Sequence, residues 1–62
     1  MAAAQIATRM IEQLVMERQS LRAASADAAT LEANRKALAH WQLELTRALA
    51  RDALAASDAA AA

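Results

Sequence analysis

The chain has 62 residues, no Gly, Pro or Cys, and seven basic against seven acidic side chains. That length sets a ceiling of one domain, and without the two residues that build most tight turns a hairpin-rich β fold is excluded. Zero net charge removes the electrostatic footprint of a nucleic-acid binder and of a protein drawn to an anionic membrane, and no apolar run approaches the ~18 residues of a transmembrane helix.

Alanine makes up about a third of the chain, and Leu, Glu, Gln, Arg and Met supply much of the rest. These are the strongest helix formers, whereas the β-branched hydrophobes are only Ile6, Ile11 and Val15. The expected fold class is all-α. Residues 1–9 lack a basic segment followed by an apolar one, so no secretory signal is read there and a cytoplasmic location is expected. From the Ala/Arg/Leu-rich composition a GC-rich bacterial source is expected.

The first predicted helix spans about residues 3–22. Ile6, Met10, Leu14 and Leu21, widened by Ile11 and Val15, recur at helical spacing. The second spans about residues 28–56, with Leu31, Leu38, Leu45 and Leu49 in its stripe and Trp41 beside them. Leu31, Leu38 and Leu45 are a heptad apart, as are Ala7, Leu14 and Leu21. Between the helices, at about residues 23–28, Asp27 is a good N-cap, with Ser25 and Thr30 as alternatives. Residues 57–62 are expected to fray.

The seam shifts phase by three residues across this linker, because heptads carried on from Leu21 reach Ala28 and Arg35 instead of Leu31 and Leu38. An antiparallel hairpin turning at position 26 resolves the shift, since residues whose numbers sum to 52 then lie opposite. Leu21 meets Leu31, Leu14 meets Leu38, Ile11 meets Trp41, Ala7 meets Leu45, and Glu17 meets Arg35. The alternative is one continuous helix of about 80 Å in an oligomer, and the missing turn glycine is its best argument.

Beyond alanine only fifteen larger apolar residues remain, a thin supply for a core. Met10, Val15, Met16, Leu43, Leu49 and Leu54 are left over for a dimer or partner surface. A homo-oligomer is therefore expected, with a dimer favoured and a four-helix bundle as its form.

Little in the chain points to chemistry. His40 and Glu44 share a helix face, but two ligands do not make a metal site and the chain has no other His and no Cys. The serines imply no triad, no Gly-rich loop exists for phosphate, and a two-helix hairpin encloses no pocket of the usual size. No catalytic residue, metal or cofactor is assigned. Lys36, His40, Arg47 and Arg51 form a basic stripe, interrupted by Glu44 and without stacking aromatics, which reads as a solvated face. Glu32 and Lys36 are placed to pair along the second helix.

In length and layout the chain resembles the Rop-type plasmid copy-control hairpins, which dimerise into four helices and bind RNA. An RNA-binding role of that kind would require the Lys36, Arg47 and Arg51 stripe to double across the dimer. The stretch Ala37-Leu-Ala-His-Trp-Gln-Leu-Glu-Leu-Thr-Arg-Ala48 resembles the tryptophan-bearing helix of type III secretion co-chaperones. Sporulation-type aspartyl-phosphatase hairpins share the outline, but their Ser-Gln-Glu-Leu-Asp motif is missing, and the nearest stretch is Ala33-Asn-Arg-Lys-Ala-Leu38. The leading expectation is a non-enzymatic protein–protein interaction module: an adaptor, chaperone or regulatory subunit acting through apolar faces and self-association. An RNA-binding dimer or a signalling phosphatase is the alternative.

Overall fold

The computed structural model describes residues 2–61, with side-chain surroundings for residues 2–58. Two helices, α1 (Ala3–Ala23) and α2 (Ala28–Ala61), pack against each other as a hairpin, and the described residues contain no strand. The molecule measures 55 × 17 × 12 Å. Its long dimension matches α2, whose 34 residues at 1.5 Å each run about 51 Å.

The turn closes without glycine. Ala26 donates its amide to the Leu21 carbonyl at 2.9 Å, and Ser25 donates to Arg22 at 3.1 Å. This nested pair of bonds is the Schellman closure, which satisfies the last free carbonyls of a helix and requires a left-handed residue between them. Ser25 takes that conformation with φ 56°. A side chain there costs about 1–2 kcal/mol relative to a right-handed residue. Serine is thus the strained element of the turn, not its N-cap.

Asp27 is the N-cap. Its Oδ1 accepts the Thr30 amide at 2.8 Å, and its carbonyl accepts the Leu31 amide at 3.1 Å to begin α2. Hydrogen bonds from the Thr30 side chain and amide hold the Asp27 carboxyl below the usual carboxylate range. At the start of α1, Ala2 has no capping side chain; Gln5 Oε1 instead accepts the Ala2 amide at 3.3 Å.

The helices meet along a heptad seam. Ala4, Ala7, Ile11, Leu14, Arg18 and Leu21 line it on α1, and Leu31, Asn34, Leu38, Trp41, Leu45 and Ala48 on α2; all are buried or half-buried. Spacings alternate between three and four residues throughout, as knobs-into-holes packing requires. The two buried hydrophobic residues, Ala7 and Ala48, are both small. Both lie toward the open end of the hairpin. No large side chain is fully enclosed among the described residues.

Two expectations differ from the structure. Arg35 does not reach across to Glu17; it grips Glu32 one turn back, at 2.6 Å. Residues at i and i+3 on one helix are neighbours, so the local carboxylate wins over one that needs an interhelical reach. Glu32 is consequently engaged with Arg35, and no ion pair joins it to Lys36. The second helix also runs past its expected end at about Ala56 and is helical to Ala61, in a stretch rich in alanine, the residue of highest helix propensity. Residue 62 lies outside the described residues.

Candidate functional site

The seam contains one polar layer. Arg18 Nη1 donates to Asn34 Oδ1 at 3.2 Å and to the Leu31 carbonyl at 3.4 Å. Asn34 Nδ2 donates in turn to the Leu14 carbonyl at 3.0 Å. Asn34 is only 3% exposed and is the one buried polar residue among those described. No buried side-chain nitrogen or oxygen there lacks a partner. An amide and a guanidinium thus cross-link the helices through side chain and backbone together, satisfied within the layer.

Neither Arg18 nor Asn34 was singled out from the sequence, yet the signal was present. Their numbers sum to 52, so the register that aligns the leucines aligns them too. A polar pair inside an apolar heptad is the usual signature of a register-setting layer.

Trp41 is half-buried on the seam rather than enclosed, and the exposed His40 ring meets it edge-on, with centroids 5.1 Å apart and planes at 78°. Leu38 and Leu45 on α2, and Ile11 and Leu14 on α1, are likewise half-buried. A two-helix unit leaves these large seam side chains open on the side away from the facing helix.

The remaining large hydrophobes face outward. Val15, Leu43 and Leu49 are exposed, as is Ile6; Met16 is 68% and Leu54 66% exposed. Met10 is half-buried at the edge of the seam. Helical geometry distributes them around the molecule: Ile6 and Met10 on one flank, Val15 and Leu49 on the other, Met16 and Leu43 at the back. Along the Leu49 flank runs an open groove of about 530 Å³, bordered by Leu45, Leu49 and Ala4 with Arg9 and Glu12 on its rim.

The charged groups form no chemical centre. Glu44 engages Arg47 at 3.4 Å rather than joining His40. Among the described residues no group of three or more His, Asp or Glu side chains is placed to hold a metal ion. Lys36, His40 and Arg51 are exposed. The Arg35 guanidinium holds the Glu32 carboxyl below the usual carboxylate range, and Glu32 raises Arg35 in return. Among the described residues no helix is long and apolar enough to cross a membrane.

Comparison with protein-family models, with curated proteins and with solved structures finds no match to this chain.

Proposed function

We propose that this protein is a non-enzymatic packing module, a helical hairpin that acts by presenting apolar helix faces to a second protein surface. The second surface is a further copy of the hairpin, giving an antiparallel four-helix bundle, or a protein partner for which the hairpin serves as adaptor, chaperone or regulatory subunit. One observation carries this reading: among the described residues no large side chain is fully buried within the hairpin, while Ile6, Val15, Met16, Leu43, Leu49 and Leu54 are exposed. Covering a large aliphatic side chain that one hairpin leaves open contributes up to about 1.5–3 kcal/mol. Several such residues together supply a dimer-scale driving force that a lone hairpin forgoes.

Sedimentation equilibrium and helix circular dichroism, measured from nanomolar to high micromolar chain, test the reading. The mass is expected to rise to at least twice that of the chain, with helicity rising alongside. Polar substitutions on the outward positions, Leu43→Gln with Leu49→Gln, are expected to return the mass to that of one chain while leaving the seam intact. A monomer of unchanged helicity and melting temperature over the whole range, in the absence of any partner captured through those residues, overturns it.

A further inference from the structure

We infer that a second copy of the hairpin docks on the flank bearing the open groove, antiparallel, about a twofold axis that sets Arg9 of each copy against Glu12 of the other. This rests on the reading of the hairpin as a packing module and names its partner, its face and its register. Both helices put aliphatic surface on that flank. Val15 and Leu49 are exposed there, and the half-buried Leu38 and Leu45 turn toward it from the seam. On the opposite flank helical geometry sets Glu44 and Arg51 of α2 beside Ile6 and Met10 of α1. Met16 and Leu43 lie on the outer faces of their helices, away from each other, so no single partner surface covers both.

The rim of the groove supplies the charge complement. Glu32 with Arg35, and Glu44 with Arg47, each close on their own helix at a spacing of three, the acid first. Arg9 and Glu12 have the same spacing in the reverse order. Both are exposed, and among the described residues no ion pair engages either of them. The acid-first order is the better one on a helix. The groove thus carries one positive and one negative group on its rim, each open to a partner. A surface that bears both signs side by side is complementary to its own copy about a twofold axis.

That axis fixes a register. It crosses α1 midway between residues 9 and 12, at 10.5, and the sum-of-52 pairing within the hairpin places 41.5 of α2 at the same level. Facing residues then sum to 21 between the two α1 helices and to 83 between the two α2 helices. Leu45 meets the partner's Leu38, twice per dimer. Val15 comes level with position 46 of the partner's α2, so it seats between the partner's Leu45 and the partner's Leu49. The exposed Gln42 lies next to the axis and meets the partner's Gln42, and an amide offers both a donor and an acceptor to an identical amide. The leucine pair and the valine seat both follow from an axis placed by charge alone.

Charge reversal with mixing tests the arrangement, in full-length chain followed by sedimentation equilibrium at low salt. Arg9→Glu alone and Glu12→Arg alone each bring like charges together twice per dimer, and each should raise the dimer Kd roughly tenfold. An equimolar mixture of the two variants should associate about as tightly as the unchanged chain, because every contact across the axis is then opposite in sign. A substitution that only disturbs its own helix is not rescued by mixing. Gln42→Cys, in a chain with no other cysteine, should join two copies by a disulfide on oxidation, whereas His40→Cys, which faces away from the groove, should not. Leu49→Gln should reduce association and Leu43→Gln should leave it unchanged. A mass that doubles without the rescue, or without the Gln42→Cys crosslink, puts the second copy on another face; it overturns this inference and leaves the packing function standing. A chain that stays monomeric to high micromolar concentration also overturns it, and the packing function then stands or falls on capture of a different protein through the outward residues.

Discussion

Replacing Asn34 by alanine removes the acceptor that holds Arg18 across the seam and the donor that reaches the Leu14 carbonyl. A hydrogen bond to a charged group contributes about 1.5–3 kcal/mol, and the neutral one to a helix carbonyl about 1. Arg18 is only half-buried and can swing its guanidinium toward water, which offsets part of the loss. The net destabilisation is expected near 2 kcal/mol, or about 8–16 °C in Tm for a domain of this size. Urea unfolding followed by circular dichroism and by Trp41 fluorescence, at one fixed chain concentration, measures it. The cycle with Arg18→Ala should return a coupling of about 1–2 kcal/mol. Replacing both residues together, Arg18→Leu with Asn34→Leu, should recover the stability or exceed it, because apolar residues commonly outperform a buried polar cluster. The same change leaves a seam that can slip by a heptad, which would broaden the distribution of distances between spin labels on the exposed Gln5 and Arg47. A coupling below about 0.5 kcal/mol would mean that the layer is incidental, and the register argument would fall with it.

Trp41→Ala is expected to cost about 2 kcal/mol in the single hairpin, less than the 3–5 of an enclosed ring, because the indole is half-buried; thermal melts at nanomolar chain check this. At concentrations where the hairpins associate the loss should grow, and an equal loss at both concentrations would exclude Trp41 from the interface. Asp27→Ala should lower the stability of the hairpin through loss of the Thr30 cap bond, read as a lower urea midpoint of the monomer. Asp27 and Glu32 both titrate below the usual carboxylate range when folded, so the unfolded chain takes up protons first. Their stabilisation is then complete only above about pH 5 and disappears as the pH falls through the folded values. Asp27→Asn with Glu32→Gln should flatten that acid limb in melts at descending pH, and an unchanged limb would assign it elsewhere. Lys36→Ala with Arg51→Ala should leave fold and association intact; loss of RNA retention with the fold preserved would instead favour the Rop-type resemblance.

The sequence by itself determined the helices, the apolar stripe of each and, given a turn, the register. Alanine and leucine at helical spacing leave a short chain without Gly or Pro no other regular structure, and the three-residue phase shift permits antiparallel pairing about position 26. Tertiary structure decided what the pattern left open. Whether the linker turns or continues was ambiguous in sequence, because no glycine marks the left-handed position; only the packed helices hold Ser25 there, since closing the seam outweighs the strain of one residue. Arg18 and Asn34 read as ordinary surface residues until α2 lies beside α1, because burial of a polar group depends on what stands opposite it. The incomplete burial of Trp41 and the leucines is likewise a property of the assembled pair: periodicity shows which face is apolar, but the area covered depends on how many helices surround it, and here there is one on each side of a single seam.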